Sequence, residues 1–374
     1  MTGAGRAAVM AAALSLASGA LAQEYRVEFL HPIEGRWLWS TGRGISGGHM
    51  VGELHPVSHG GRGHAALWNG DRNSWVDMHP KGAVNSQAYG VGGGIQVGRV
   101  EMEGDVFAAM WRGTRDSMVR LGAEHFEGSI AYATDGVYQV GVSVVVDGPV
   151  LAYVWQGSAE SARNITPPGA TTAWAFDVHE GMIVGNASFA REDGRAGMWN
   201  AATGDWTDLR PPGFNISSAR GISGNQQVGF VLDPENSYHR AGLWRGSGDS
   251  FVNLHPYGSI YTRTWAHATN GEIQVGESWI SQPRDTFSHA IAWRGTRDSM
   301  FDLHDYLPTE FLWSAAYDID EFGNIIGYAQ SRHDTFAVVW RPVPEPGTFV
   351  ALAGALGPVF LRRRLLSKAN HKEE

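Results

Sequence analysis

Residues 44–78, GISGGHMVGELHPVSHGGRGHAALWNGDRNSWVDM, contain the features that recur along this chain. A turn of small residues precedes the step Val51-Gly52, an apolar segment then leads to Trp68, and a stretch of alternating apolar and polar residues begins at Trp75. Short alternating segments separated by glycine-rich turns are typical of antiparallel β-strands. This stretch therefore predicts one small antiparallel β-sheet.

Seven tryptophans mark seven copies of the pattern. Successive members are 43 to 49 residues apart, and they are Trp68, Trp111, Trp155, Trp199, Trp244, Trp293 and Trp340. A Val-Gly or Ile-Gly step precedes each one, at Gly52, Gly98, Gly141, Gly185, Gly229, Gly276 and Gly327. A repeat of this length fits a four-stranded propeller blade better than a helical repeat. We therefore predict an all-β fold, a seven-bladed β-propeller of four-stranded blades over residues 23–342.

The last copy lacks a fourth strand, because Arg341-Pro342 follows Trp340 directly. A matching segment lies near the other end of the chain. Residues 25–32, YRVEFLHP, have the same alternation and the same His-Pro exit as residues 75–80 and 251–256. We predict that this N-terminal strand completes the last blade, so that no sheet edge remains open.

The first 22 residues have the features of a secretory signal peptide. They contain a single basic residue, Arg6, then an alanine-rich apolar stretch and the small-x-small end Ala20-Leu21-Ala22. The alternative is a buried N-terminal helix, which the lack of polar spacing disfavours. We therefore predict an exported protein.

Residues 343–374 combine prolines, the apolar stretch 349–361 and three arginines, which predicts a short C-terminal hydrophobic helix in the membrane with the arginines on the cytoplasmic side. At 1.5 Å per residue the apolar stretch would be roughly 20 Å long, against a hydrocarbon core of about 30 Å. A helix packed on the globular body is the alternative.

The order of these C-terminal features resembles the PEP-CTERM sorting signal of exported bacterial proteins. The matching residues are Pro344, Glu345, Pro346, Arg362, Arg363 and Arg364. The resemblance implies an exosortase-type sorting protease as a partner and export through the inner membrane. It also implies a place in the cell envelope or at the cell surface, or release after C-terminal processing. The tail beyond the arginines is longer than usual in this family.

The blade pattern resembles the extracellular repeats known as HAF. Gly-Ile-Ser-Gly at residues 44–47, the Val-Gly step and the pairs His64-Ala65 and His289-Ala290 carry the likeness. Other copies have Phe107-Ala108 or alanine alone. This resemblance implies an extracellular location and a propeller architecture, and it implies no activity, ligand or cofactor.

Composition and motifs exclude several classes of function. The formal charge of -9, without a long basic run outside the C-terminus, argues against binding to nucleic acid. The chain contains no cysteine, so its fold does not depend on disulfides. It has no nucleophile elbow, phosphate loop or zinc-protease helix, and we predict no catalytic residue, metal or cofactor. Catalytic residues of a propeller can come from different blades, so an enzyme stays open as a less favoured reading.

Two clusters have ligand-like spacing. His55, His59 and His64 lie in a glycine-rich loop and could hold a transition metal, although loop histidines more often have other roles. Residues 318–324, DIDEFGN, resemble part of a calcium loop but lack its later bidentate glutamate. A hairpin connection is the favoured reading of this segment.

One position near the innermost strand differs from blade to blade: Arg43, Tyr89, Tyr132, Phe176, Arg220, His267 and Tyr317. We predict that these residues surround the channel mouth, where an aromatic and cationic ring suits an anionic or sugar-like ligand. Packing between blades is the alternative. We expect the seven repeated tryptophans to pack in the core, and better ligand candidates are the non-repeated Trp37, Trp39, Trp174, Trp265, Trp279 and Trp313.

The favoured function is that of a non-catalytic exported propeller, envelope-associated or released, which binds an extracellular protein or polymer such as exopolysaccharide. One alternative is an extracellular glycan-acting enzyme, which two carboxylates converging across the ring would support. The other is a purely structural matrix component, which a smooth, narrow channel would favour.

Overall fold

The computed structural model describes residues 24–33, 35–57, 62–122, 126–189, 194–258, 260–281 and 285–344. Contacts group Tyr25–Arg341 into one compact unit. The predicted signal peptide and C-terminal helix lie outside the described residues, as do Glu345, Pro346 and the three arginines of the sorting motif. Within the described part of the chain, no helix is long and apolar enough to cross a membrane.

Short strands build the compact unit, beginning with β1 (Tyr25–Phe29). The strands that follow form groups, which we call repeats 1 to 7. Repeat 1 contains β2 (Trp37–Ser46), β3 (His49–Pro56), β4 (His64–Asn69) and β5 (Trp75–Asp77). Repeat 2 contains β6 (Asn85–Gly92), β7 (Ile95–Met102), β8 (Asp105–Trp111) and β9 (Val119–Arg120). Repeat 3 contains β10 (Phe126–Thr134), β11 (Gln139–Val145), β12 (Val150–Trp155) and β13 (Arg163–Asn164).

The second half of the unit continues in the same way. Repeat 4 contains β14 (Thr172–His179), β15 (Met182–Ser188), β16 (Gly194–Asn200) and β17 (Trp206–Asp208). Repeat 5 contains β18 (Ser217–Ser223), β19 (Gln226–Leu232), β20 (His239–Trp244) and β21 (Val252–Asn253). Repeat 6 contains β22 (Tyr261–Thr269), β23 (Gln274–Ser281), β24 (Thr286–Trp293) and β25 (Phe301–Asp302). Repeat 7 contains β26 (Trp313–Ile319), β27 (Ile325–Gln330) and β28 (Thr335–Pro342).

The strands of each repeat pair in chain order. In repeat 7 the sheet order is β1-β28-β27-β26, so the N-terminal strand lies beside the last one. The backbone N–H of Leu30 donates to the carbonyl oxygen of Ala337 at 2.8 Å. Repeats 2 and 3 are joined into one sheet by a single parallel pairing, Gly128 with Val106. Each innermost strand contacts that of the next repeat, and β26 contacts β2.

Short 3-10 turns connect some of these strands, at Arg115–Ser117, Ala159–Ser161, Gly248–Ser250, Arg297–Ser299 and His304–Tyr306. The first and fourth belong to a segment, RGTRDSM, that occurs at residues 112–118 and again at 294–300. In the first copy the Ser117 hydroxyl donates to the Thr114 carbonyl at 2.6 Å and accepts the Arg112 N–H at 2.8 Å. Strands and such turns make up the regular structure of the described residues, which confirms the all-β class.

The innermost strand of every repeat has a β-bulge at the same place. In repeat 1 the register of β2 with β3 shifts between Gly42 and Gly44, which leaves Arg43 as the extra residue. The corresponding extra residues are Tyr89, Tyr132, Phe176, Arg220, His267 and Tyr317. The Val-Gly step is part of this feature, because a Cβ at Gly52 would lie 1.9 Å from the carbonyl oxygen of Thr41. A β-bulge changes the direction of the extra side chain. Because every repeat has the same bulge, it determines the direction of all seven extra side chains.

The seven repeated tryptophans are core residues, each at most 1% exposed. Each packs against the preceding repeat: Trp111 clusters with Val51 and Leu67 of repeat 1, and Trp340 clusters with Val275 of repeat 6. A large side chain between neighbouring sheets buries apolar surface of both, which holds them together. The predicted packing role of these tryptophans is confirmed.

The histidines that follow the last strand of a repeat's sheet link neighbouring repeats; His31, His79 and His255 precede proline, and His304 precedes Asp305. Nδ1 of His304 lies 2.8 Å from Oγ of Ser314 at the start of β26, and the same hydroxyl accepts the N–H of Ala290 at 2.9 Å. We call this arrangement the histidine relay. It recurs as His31–Ser40–Ala337, His79–Ser86–Ala65 and His255–Thr264–Ala241. Between repeats 4 and 5, Ser217 accepts the N–H of Ala196 at 2.9 Å, but Arg210 occupies the exit position of the histidine.

Candidate functional site

The seven bulge residues line one cavity of about 220 Å³. We call them the bulge ring: Arg43, Tyr89, Tyr132, Phe176, Arg220, His267 and Tyr317. They are half-buried, whereas the residue before each one is a buried alanine or, before Arg43, a buried glycine. The predicted set of channel residues is therefore brought together from seven different strands.

One half of the bulge ring is a run of aromatic faces that ends in a cation. The ring centroids of Tyr89 and Tyr132 are 5.8 Å apart, and those of Tyr132 and Phe176 are 5.7 Å apart. The guanidinium carbon of Arg220 lies 3.9 Å from the centroid of Phe176. Burial raises the pKa of Tyr89 to about 12, so this phenol is neutral at ordinary pH. These residues offer apolar faces and hydroxyl groups beside a positive charge.

The other half of the bulge ring places basic side chains beside carboxylates. The rings of His267 and Tyr317 have centroids 5.6 Å apart, and the guanidinium carbon of Arg43 lies 4.7 Å from the centroid of the Tyr317 ring. Nε2 of His267 lies 3.5 Å from Oε1 of Glu277. The His267 imidazole therefore stands beside the Glu277 carboxylate.

A buried carboxylate neutralises Arg43. Its Nη2 lies 3.3 Å from Oε1 of Glu53, whose side chain is 4% exposed. The other carboxylate oxygen lies 3.1 Å from Nε2 of His55 and accepts a hydrogen bond from the Gln87 amide. Burial alone would raise the pKa of Glu53, but the hydrogen bond from His55 and the charge of Arg43 together hold it below its ordinary value. The glutamate therefore stays ionised.

Arg220 has no carboxylate partner within the described ranges of the chain. Its guanidinium carbon lies 3.9 Å from the ring of Phe176 and 5.4 Å from that of Phe230. Burial lowers the pKa of Arg220 to about 10, which reflects the loss of water around the charge. Arg220 also lines a second cavity, of about 410 Å³, together with Trp174 and Asn186. An enclosed cation without a counter-charge can receive an anionic group.

Two aspartates directly after the bulge connect neighbouring repeats. Both oxygens of Asp318 accept backbone N–H groups at 2.8 Å, one from Ile319 and one from Ile45 of repeat 1. Asp177 makes the same pair of bonds, the second of them to Ile222 of repeat 5. Burial raises the pKa of Asp177 to about 6 and that of Asp318 to about 8.

These two carboxyls bear on the enzyme alternative, because both line the 220 Å³ cavity and a further cavity of about 710 Å³. Each oxygen of Asp177 and Asp318 already accepts a backbone N–H, and each carboxyl links two repeats. Both carboxyls therefore serve as structural connections between repeats.

A second set of variable residues lies directly after the Val-Gly step, and some of its members contact the bulge ring, as Glu53 contacts Arg43 and Phe230 contacts Arg220. They are Glu53, Arg99, Val142, Asn186, Phe230, Glu277 and Tyr328. Each pairs with the residue two places before the bulge, as Glu53 does with Thr41 and Glu277 with Trp265. Sequence analysis missed this set. Variation immediately after a glycine that every repeat retains was the signal that could have found it.

Some of the non-repeated tryptophans line cavities, and the others pack against aromatic rings. Trp39 and Trp174 line cavities beside the bulge ring. Trp265 and Trp279 have ring centroids 5.7 Å apart, and Trp279 is 38% exposed. The remaining two pack edge-on or tilted against other aromatics, Trp37 against Trp75 and Trp313 against Phe287.

The two ligand-like clusters have other partners. His59 lies outside the described residues; His55 contacts Glu53, whereas Nδ1 of His64 lies 3.3 Å from Asp77. The Asp320 carboxylate accepts the N–H of Asn324 at 2.8 Å in the connection from β26 to β27, in agreement with the hairpin reading of residues 318–324. Among the described residues, no group of three histidine, aspartate or glutamate side chains is placed to hold a metal ion.

Comparison of the sequence with known protein families and with curated proteins finds no match. Solved structures do match. The β-propeller domain of the Trilobed protease from Pyrococcus furiosus, described as having an open velcro topology, aligns with a TM-score of 0.54 at 9% identity. That alignment covers 82% of this chain and 93% of the other. This chain has the β-propeller fold.

Two hydrolases align equally well. A puromycin hydrolase aligns with a TM-score of 0.56 at 12% identity, over 83% of this chain and 52% of its own. The acylaminoacyl peptidase of Pyrococcus horikoshii gives 0.55 at 9% identity, over 83% and 53%. This chain thus spans about half the length of either enzyme. At these identities the likeness is one of fold alone.

Proposed function

We propose that this protein is an exported, non-catalytic β-propeller that binds an extracellular partner or polymer at the bulge ring. One observation carries the proposal: seven positions that vary between repeats converge, through seven equivalent bulges, on one cavity. Side chains that differ between repeats on a backbone that the repeats share are suited to recognising a ligand. Aromatic faces beside cations suit an anionic or sugar-like group.

The proposal includes a closed ring of seven four-stranded blades. Its support is the place of β1 in the sheet of repeat 7 and the contact between β26 and β2. Nε of Arg341, near the end of β28, lies 2.8 Å from Oε2 of Glu28 in β1. In such a ring the N-terminal strand clasps the last blade, which leaves no sheet edge open.

The proposal also assigns the ends of the chain. Residues 1–22 are a signal peptide, residues 23–342 the propeller, and residues 343–374 a PEP-CTERM-like segment read by an exosortase-type protease. The protein would then work in the cell envelope, at the surface or after release. The residues that match the sorting signal are the support for this part.

Retention on polymer tests the binding function. Residues 23–342 would be expressed, checked for a cooperative melting transition, and applied to immobilised extracellular polysaccharide from the producing organism. We expect retention that survives high salt and that is lost in the double variant Arg43→Gln, Arg220→Gln. The matched control is Arg112→Gln, Arg245→Gln, which removes two exposed arginines.

Three other outcomes of the retention experiment would contradict the proposed site or favour another function. Unchanged retention of the Arg43, Arg220 double variant would contradict a site at the bulge ring. A fall in the chain length of the polysaccharide during incubation would favour the glycan-acting enzyme. No retention of the folded protein would favour a purely structural matrix component.

A further inference from the structure

Arg220 of repeat 5 and Arg263 of repeat 6 are not neutralised in the way that Arg43 is. Both lie against aromatic rings and have no carboxylate partner within the described part of the chain, and Nδ1 of His239 is buried without a hydrogen-bond partner there. Burial and the charges of Arg263 and Arg220 lower the pKa of His239, so both guanidinium groups act on this ring. The carboxylates nearby are engaged: Asp233 pairs with Arg240 at 3.1 Å.

Aromatic rings connect Arg220 with the surface. The contacts run from Phe230 to His239 and on to Trp265, with centroids 4.8 Å apart at each step. Trp265 then contacts Trp279 at 5.7 Å. The guanidinium carbon of Arg263 lies 5.3 Å from Trp279 and 5.1 Å from Tyr238, and these two rings are each 38% exposed. We call this series, from Phe230 to Tyr238, the aromatic track.

The arginines without carboxylate partners and the aromatic track together favour one class of ligand. Aromatic faces stack on the apolar C–H faces of sugar rings, and a guanidinium binds a carboxylate through paired hydrogen bonds. The 410 Å³ cavity adds polar groups next to Arg220, since Asn186 and Ser218 line it with Trp174. A series of rings rather than a single platform fits a chain of sugars. An acidic peptide could bind the cations through its carboxylates, but it lacks the sugar rings that would stack on the aromatic track.

We infer that Arg220 binds the carboxylate of a uronic acid unit and that the acidic polysaccharide continues along the aromatic track to the surface of repeats 5 and 6. This inference rests on the proposed function and names its ligand class.

The full chain, purified in mild detergent, would be titrated calorimetrically with oligogalacturonates of increasing length. The comparison probes are the neutral methyl esters of the same oligomers, polyglutamate and sodium sulfate. We expect the acidic oligomers to bind at least tenfold more tightly than their esters, and more tightly with each added sugar up to the length of the track. Added salt should weaken binding of the acidic oligomers without abolishing it, because salt screens the charge pairing but not the aromatic contacts.

Variants locate the two parts of the site. Arg220→Gln should weaken binding of every acidic oligomer at least tenfold, whereas the exposed Arg112→Gln should leave it unchanged. Trp279→Ala should remove the gain with chain length but spare the monomer. Phe322→Ala, which removes an aromatic ring that is 66% exposed elsewhere, is its matched control. Melting curves of all four variants show whether a loss of binding is a loss of fold.

The outcomes separate this inference from the function it rests on. If the neutral esters bind as tightly and Arg220→Gln has no effect, glycan binding stands and the acidic ligand is wrong. If polyglutamate binds more tightly than oligogalacturonate, the ligand is an acidic peptide. If only sulfate binds, the site is a general anion site. If nothing binds and the extracellular polysaccharide also fails to retain the protein, the proposed function fails as well.

Discussion

Arg43 and Arg220 occupy the same bulge position in repeats 1 and 5, yet their surroundings differ. Arg43 pairs with Glu53 at 3.3 Å, while Arg220 contacts the rings of Phe176 and Phe230 and has no carboxylate partner within the described ranges. An enclosed charge without a partner lowers stability, whereas removing one member of a buried pair leaves the other uncompensated. The same substitution should therefore have opposite effects at the two sites.

We expect Arg220→Met to raise the free energy of unfolding by about 1 kcal/mol or more, because an apolar side chain replaces an unpaired charge. Arg43→Met should lower it by roughly 1–3 kcal/mol, since Glu53 loses its guanidinium. Urea unfolding of both variants measures the difference. A loss of stability at Arg220 equal to that at Arg43 would show that Arg220 serves the fold and not a ligand.

Asp318 predicts a pH-dependent stability. Burial raises its pKa to about 8, and Asp177 and Asp320 nearby act in the same direction. An unfolded aspartate titrates near 4. Folding therefore takes up a proton between these two values, so the contribution of this group is full below about pH 4 and is lost as pH rises to about 8.

We expect the melting temperature of Asp318→Asn, relative to the unaltered protein, to rise steadily from pH 5 to pH 8 and then level off. The constant part of the difference reflects the exchange of a carboxyl oxygen for an amide; only the slope tests the titration. Asp147→Asn, at an exposed turn, is the control. A difference that does not change with pH would contradict a raised pKa at Asp318.

At the scale of strands, the sequence predicts the positions that every repeat shares and misses the contacts that depend on the register of a paired strand. The tryptophans and the Val-Gly step are local and periodic, and a carbonyl 1.9 Å from a Cβ at Gly52 explains why the glycine is kept. The bulge residues could be found as a variable position. Their partners could not, because Glu53 and Phe230 meet them through the register of a second strand.

The histidine relay is a second feature that the pattern alone did not predict. The histidine after the fourth strand was visible in the sequence, as His-Pro at His79 and without the proline at His304, but its function depends on a hydroxyl of the next repeat, such as Ser314 opposite His304. Burial lowers the pKa of His304 to about 4, so this histidine is neutral in the folded protein near pH 7. It links two sheets without adding a buried charge.

The relay can be tested by comparing two serines in equivalent places. Ser314→Ala removes the acceptor of the Ala290 N–H and the partner of His304, whereas Ser217→Ala removes only the acceptor of the Ala196 N–H. We expect Ser314→Ala to lower the free energy of unfolding by about 1 kcal/mol more than Ser217→Ala, the worth of one further hydrogen bond. Equal losses in denaturant unfolding would mean that the histidine contributes nothing.

At the scale of the whole molecule, the last sheet obtains one strand from the other end of the chain. β1 pairs with β28, Leu30 is fully buried, and the Trp68 indole N–H donates to the Leu30 carbonyl at 2.9 Å. These contacts bring the N-terminal segment against both repeat 7 and repeat 1. The β-propeller domain from Pyrococcus furiosus is described as having an open velcro topology, so the clasp is a property to be tested in this chain and not one that the fold guarantees.

Deleting residues 24–32 should lower the melting temperature by about 10 °C or more, because Tyr25 and Leu30 are both buried and such side chains contribute about 2–5 kcal/mol each. Limited proteolysis should then cut first in repeat 7, whose sheet loses β1, and in repeat 1, whose Trp68 loses its hydrogen bond to Leu30. Leu30→Ala should reproduce part of the loss, and Arg26→Ala, whose side chain is 67% exposed, should not. A deletion variant that melts at the same temperature and resists protease equally would show that the ring does not depend on this strand.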